Sequence, residues 1–169
     1  MKRPACRLRR EARDLVEHPL HDVSNRDGLQ RDRMATVDRT AATLRFSGDT
    51  LDPDEITKML GTQPTKGFRK GDPWSDPKGR PLRPKRTGSW SLTAPDAEPG
   101  DLDAQIQALL SPLSQDLHAW RTLSERFNGE FYAGLFVKMK WLGGIGLSQK
   151  TMAQLSERGL DIELEIFPA

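Results

Sequence analysis

A chain of 169 residues, 36% hydrophobic and 30% charged, holds enough apolar material for one soluble domain of ordinary size. It has no apolar run near the roughly 20 residues a membrane-spanning helix needs. Its single cysteine, Cys6, excludes an intramolecular disulfide framework and a cysteine-built zinc site, and points to a reducing, cytoplasmic setting. The formal charge of +2 is unevenly spread: residues 1–33 carry nine Lys/Arg against six Asp/Glu, and the rest of the chain 17 against 18.

Residues 1–33 are Arg-rich and broken by His18-Pro19, Ser24-Asn25 and Asp27-Gly28. Disorder, or a fraying helix over Arg7 to Glu17, is expected there. Met34 is the expected translation start, so residues 1–40 are read as a disordered or non-native extension and residues 41–169 as a single α+β domain. Leu44 and Phe46 alternate with Thr43, Arg45 and Ser47, the period-two pattern of a half-buried strand, and Ser47-Gly48-Asp49 supplies turn residues. Leu51 to Gly61 then reads as a capped helix. Asp52 suits the N-cap, Pro53 the first helical position and Glu55 the capping-box position, with Leu51 and Ile56 as a hydrophobic staple. Asp54 and Glu55 complement the helix dipole, and Gly61 followed by Pro64 ends the helix.

From Thr62 to Gly88 there is no periodicity. Turn residues crowd the stretch, and Lys66, Arg69, Lys70, Lys78, Arg80, Arg83, Lys85 and Arg86 stand against only Asp72 and Asp76. Loops of this length inside a compact domain are usually functional or disordered. Phe68 and Trp74 interrupt the charges and are expected to pin part of the loop onto the sheet; the rest reads either as an anion site for nucleic acid, a phosphorylated ligand or an acidic protein partner, or as a soluble surface insertion. Ser89 to Leu92 reads as the next strand. Asp96 to Phe127 turns helical, with one stripe over Leu102, Ile106, Leu109, Leu110 and Leu113, a break at Ser111-Pro112, and a second stripe over Leu117, Trp120, Leu123 and Phe127. Asp96, Glu98, Asp101, Asp103 and Asp116 read as charge at helix N-termini, or else as an acidic surface that meets the basic loop.

The strand-turn-helix order then repeats. Tyr132 to Met139 is a predicted strand, Gly143-Gly144-Ile145-Gly146 a turn, and Ser148 the cap of a helix with Leu147 and Met152 at staple spacing and Gly159 at its end. Ile162-Glu163-Leu164-Glu165-Ile166 alternates strictly, predicting a strand with one buried and one wet face. Two strand-helix-strand halves predict an α+β, ferredoxin-like two-layer sandwich: a mainly antiparallel sheet, helices on one face, and an extra helical segment.

No recognisable catalytic set emerges. His118 has no nucleophile motif beside it and reads as a structural or surface residue. Asp49, Asp52, Asp54 and Glu55 lack the spacing of a calcium loop and read as capping charge, so no metal or cofactor is expected. The glycine turn lacks the lysine of a phosphate-binding loop. Trp90 and Trp141 read as core or rim aromatics.

The order LRFSGDTLDPDEITKMLGTQPT, FRKGDP, TGSWSL, DLDAQIQALL, HAWRTLSERF, GLFVKM, GLS and ERGLDIELEIF resembles the bacterial domain-of-unknown-function family 4279 over about Ala41 to Phe167. The most specific parts are Phe46-Ser47-Gly48 to Asp52-Pro53, Lys70-Gly71-Asp72, and Gly88 to Trp90. The resemblance implies a small cytoplasmic α+β domain and assigns no activity. The expected function is therefore a non-catalytic binding module, of immunity or regulatory type by analogy. Arg69, Lys70, Arg83, Lys85 and Arg86 are its expected contacts to an acidic protein partner, with Trp74 as anchor. Nucleic-acid binding through the same loop is the alternative, and an enzyme acting on a small anion between the basic loop and the glycine turn comes last.

Overall fold

In the computed structural model, residues 37–138 and 144–169 are described. The expectations for the N-terminal segment and for Met139, Trp141 and Gly143 lie outside them. The first strand, β1 (Arg39–Gly48), begins two residues before the expected domain boundary. Its Thr40, Ala42, Leu44 and Phe46 are fully buried while the residues between them are half-buried, so its alternation faces one side into the core.

Helix α1 (Pro53–Leu60) lies where its caps put it. The Asp52 carboxylate accepts the Asp54 N–H at 3.0 Å, and Gly61 closes the helix in the left-handed conformation at φ 80°. The two staple residues, Leu51 and Ile56, are both buried. The capping box is not made: the Glu55 carboxylate instead receives the guanidinium of Arg126.

The stretch expected to lack regular structure contains three short strands, β2 (Lys66–Phe68), β3 (Trp74–Ser75) and β4 (Pro81–Leu82). After it come β5 (Gly88–Thr93), α2 (Leu102–Leu110), α3 (Leu117–Arg126), β6 (Asn128–Val137), α4 (Gln149–Glu157) and β7 (Asp161–Pro168), close to their predicted positions. Asp101, Asp116 and Ser148 cap the three later helices.

Five strands form one sheet in the order β2-β5-β1-β6-β7, and β3 and β4 form a separate ribbon. The pairings β2–β5, β5–β1 and β1–β6 are antiparallel, but β6–β7 is parallel, so the sheet is mixed. The two strand-helix-strand halves are therefore not equivalent. The first returns beside its own starting strand in the opposite direction; the second crosses over through α4 and runs parallel. The ferredoxin-like duplication is not confirmed, and the fold is α+β with a five-stranded mixed sheet and four helices among the described residues.

Phe46 on β1 organises the core. Its ring lies 6.2 Å from Trp90 of β5, edge-on, and 6.1 Å from Trp120 of α3. Both indoles are fully buried with their N–H groups satisfied, Trp90 donating to Thr57 Oγ1 at 3.1 Å and Trp120 to the Ser114 carbonyl at 2.7 Å. Gln105 of α2 donates to the Thr40 and Pro95 carbonyls, and Gln107 ties α2 to α4 through Thr151 and Gln154. Arg158, just past α4, is 3% exposed. Its guanidinium donates to the Gln154 carbonyl and to Gln115 Oε1, and burial lowers its pKa from the ordinary arginine value.

Burial of β7 departs from expectation. Register places Ile162, Leu164 and Ile166 beside the buried Phe131, Ala133 and Leu135, yet they remain 36%, 46% and 65% exposed. The helical layer does not cover this edge strand. Met152, the expected staple partner of Leu147, is likewise 52% exposed.

Trp120→Ala removes the ring contact between α3 and Phe46 of β1. It is expected to lower unfolding stability by about 3–5 kcal/mol, read as a shift of the urea midpoint at unchanged slope. A loss below about 1 kcal/mol contradicts the packing described.

Candidate functional site

The basic loop is not open coil. Its first part joins the sheet as β2, pairing Lys66, Gly67 and Phe68 with Ser91, Trp90 and Ser89. Gly67 is required by close approach: a Cβ there would lie 2.9 Å from the Cβ of Pro53, at the start of α1. The second part folds as the ribbon β3–β4, with Trp74 opposite Leu82 and Ser75 opposite Pro81. Asp76 shapes the turn between them, accepting the N–H groups of Lys78 and Arg80, each at 2.9 Å, and the Arg80 Nε at 2.6 Å. The base of the ribbon is closed by Gly71 donating to the Lys85 carbonyl and Lys85 to the Asp72 carbonyl.

The predicted contacts divide into two groups. Arg69 lies across the N-terminus of α1, donating to Asp52 at 2.6 Å and Asp54 at 2.7 Å, and Lys70 donates to Asp49. These bonds hold the loop to the acidic start of α1. The Asp54 and Asp52 carboxylates raise the Arg69 pKa. The Asp52 carboxyl is held below the usual carboxylate range by the Asp54 amide and by Arg69, and that of Asp49 by Lys70. Within the chain, the acidic surface that meets the basic loop is therefore the start of α1. Among the acids proposed for that role, Asp96 binds Arg39, while Asp101 and Asp116 cap helices.

The second group is different. Lys85 Nζ stands 3.2 Å from the centre of the Trp74 ring and 4.3 Å from that of Phe68, and Lys66 Nζ approaches the same Trp74 ring at 4.4 Å. Two ammonium groups thus share one indole, and neither has a carboxylate partner among the described residues. Burial and the nearby Lys66 charge lower the Lys85 pKa from the ordinary lysine value. Arg83 and Arg86 are exposed and also lack an ion pair among the described residues. Lys66 was missing from the predicted contacts. Its contact with Trp74 forms once β2 has joined the sheet and the ribbon has folded, and no local spacing signals that.

The other candidates resolve as structure. Asp49, Asp52 and Glu55 are engaged by Lys70, Arg69 and Arg126, and no cluster of three metal-ligating side chains occurs among the described residues. His118 is exposed on α3. The enzyme site imagined between the basic loop and the glycine turn is removed by geometry. Lys70 meets Asp49 at the Gly48 end of β1, whereas Ser148, two residues past Gly146, bonds Asp103 near Gly100, whose amide bonds the Val37 carbonyl at the Arg39 end. The two regions lie at opposite ends of the sheet. At the head of α4 the Ser148 amide donates to Asp103 at 2.7 Å, so a carboxylate of the chain itself fills that place.

Because the Asp49, Asp52 and Glu55 carboxyls are depressed in the folded state, their contribution is full above about pH 5 and is lost as pH falls through the unfolded and then the folded values. Urea unfolding of the protein and of Asp52→Asn from pH 6 to pH 2 is expected to show the variant less stable at pH 6 and the difference closing toward pH 2. A difference independent of pH contradicts the ion-pair role of Asp52.

No helix among the described residues is long and apolar enough to cross a membrane. No curated protein and no solved structure matches the chain. A family model described as "Domain of unknown function (DUF4279)" matches residues 38–167, from the residue before β1 to the penultimate residue of β7. The resemblance carried by Phe46 to Pro53, Lys70 to Asp72 and Gly88 to Trp90 thus extends over the whole sheet, and the chain belongs to the DUF4279 family.

Proposed function

We propose that the domain is a non-catalytic binding module that docks an acidic protein surface on its basic ribbon. The observation that carries this reading is the pair Lys66 and Lys85 on the Trp74 ring. Like charges held side by side oppose one another, and Lys85, half-buried against the Phe68 and Trp74 rings, is also partly desolvated; a carboxylate from a partner relieves both effects. The indole keeps both ammonium groups in place, so little side-chain freedom remains to be lost on binding. Arg83 and Arg86 extend the same positive surface, and Leu82, 48% exposed, adds an apolar contact beside them. Arg69 and Lys70 are assigned a supporting role, since their carboxylate partners lie within the domain. By analogy, a protein of regulatory or immunity type has use for such a surface.

The test is a pull-down from native lysate, with and without nuclease, using the full chain beside a variant carrying Lys66→Ser, Arg83→Ser, Lys85→Ser and Arg86→Ser. A protein retained by wild type, lost by the variant and indifferent to nuclease is the expected result. It should be followed by reconstitution with the purified partner, whose affinity is expected to fall at least tenfold with the variant. Loss of the retained material on nuclease treatment, with affinity falling steeply in salt, assigns the loop to nucleic acid instead. Identical profiles for both baits contradict the reading.

A further inference from the structure

The two edges of the sheet are built differently. At one edge β2 is three residues long, carries Lys66 and is followed directly by the basic ribbon. Short length and an edge lysine are ordinary protections against unwanted strand pairing. At the other edge β7 is eight residues long, contains no lysine, and pairs with β6 without interruption from Glu130–Asp161 to Val137–Pro168. Its only proline is its last residue, and no described strand lies beyond it. Asp161 to Ile166 are all exposed, and the strand has one apolar and one acidic face.

On the apolar face, Ile162 lines a groove with Leu147, Met152, Leu155 and Leu160, and Leu164 and Ile166 follow it along the strand, exposed on the same face. On the other, Asp161, Glu163 and Glu165 stand opposite Glu130, Tyr132 and Gly134 of β6, with Arg45 as the cation between Glu130 and Glu163. Arg45 bonds Glu130 and Glu163, the latter at 3.1 Å, and Tyr132 donates its hydroxyl to Glu165. Glu130, Asp161, Glu163 and Glu165 against the Arg45 guanidinium leave this edge of the face negative.

We propose that β7 receives an extended segment of a partner protein as a sixth strand, and that this segment alternates apolar side chains with Lys or Arg. The edge supplies backbone hydrogen bonds, the apolar face takes the apolar set, and the carboxylates take the cations on the opposite face. Charge argues against a second copy of the chain. A two-fold antiparallel pairing that keeps the faces continuous and is centred on any residue from Ile162 to Glu165 sets acidic residues of one copy opposite those of the other. Registers centred further along place Pro168, which has no N–H, within the ladder. The surface is separate from the basic ribbon, at the far edge of the sheet.

The probe is a blocked eight-residue peptide alternating Val or Ile with Lys, compared with an alternating Val/Glu peptide and with a scrambled peptide of the first composition. Titration of the full chain, with amide exchange as a second readout, is expected to show binding of the alternating basic peptide only, and slowed exchange at the outward-facing amides of β7. Glu163→Lys with Glu165→Lys is expected to weaken it about tenfold or more, and Leu164→Ser, on the other face, to weaken it as well. The Lys66, Arg83, Lys85, Arg86 variant is expected to bind the peptide unchanged, so failure here is distinguishable from failure of the ribbon. Equal binding of the scrambled peptide, protection away from β7, or concentration-dependent dimerisation lost in Leu164→Ser overturns the proposal.

Discussion

The attraction between the acidic start of α1 and the first cations of the basic loop decides how the rest of that loop can act. Asp49, Asp52 and Asp54 stand where a helix N-terminus favours negative charge, and they take up Lys70 and Arg69. Each such pair is solvent-exposed and contributes modestly to global stability. Together with the strand pairing of β2 they fix the base of the ribbon, and a ribbon held at its base presents its remaining cations in a defined arrangement. Trp74 completes the arrangement by seating Lys66 and Lys85 on one ring. Charge that looks uniform along the sequence is thus divided by geometry into cations that anchor and cations left without a counter-charge among the described residues.

The same sheet carries a second asymmetry. β1 is central and paired on both sides, its apolar face packed under the helices around Phe46, Trp90 and Trp120. Moving outward from it, protection against further pairing differs. The β2 edge is short and basic, whereas the β7 edge is long, regular and acidic on its open face. A domain with a cationic ribbon at one edge and an acidic, unprotected strand at the other has two chemically distinct surfaces on one rigid sheet.

Features set by neighbours along the chain were readable in the sequence. Asp52, Pro53 and Gly61 place α1 because a cap acts within three or four residues, and Ser148 does the same for α4. The alternation of Ile162 to Ile166 identifies β7 and sorts its faces. Features set by distant pairing were not readable. The repeated strand-helix-strand order says nothing of whether the chain returns antiparallel, as β5 does beside β1, or crosses over, as β7 does beside β6. Alternation in β7 also cannot reveal that the helical layer ends short of it. In the loop, composition singled out Trp74 and the cations, but the division between Arg69 and Lys70 on one side and Lys66 and Lys85 on the other depends on contacts 15 to 21 residues apart or on strand register.

That division is tested most directly by observing the lysine side chains one by one. Carbon-labelled lysine NMR of the full chain, titrated with a short poly-glutamate peptide, separates Lys66 and Lys85 from Lys70. Early, saturable shifts at Lys66 and Lys85 with Lys70 unmoved are expected if the ribbon cations are the free ones. Shifts at Lys70 that match or precede those at Lys85, or uniform shifts at every exposed lysine, contradict it and return the loop to a uniformly solvated basic surface.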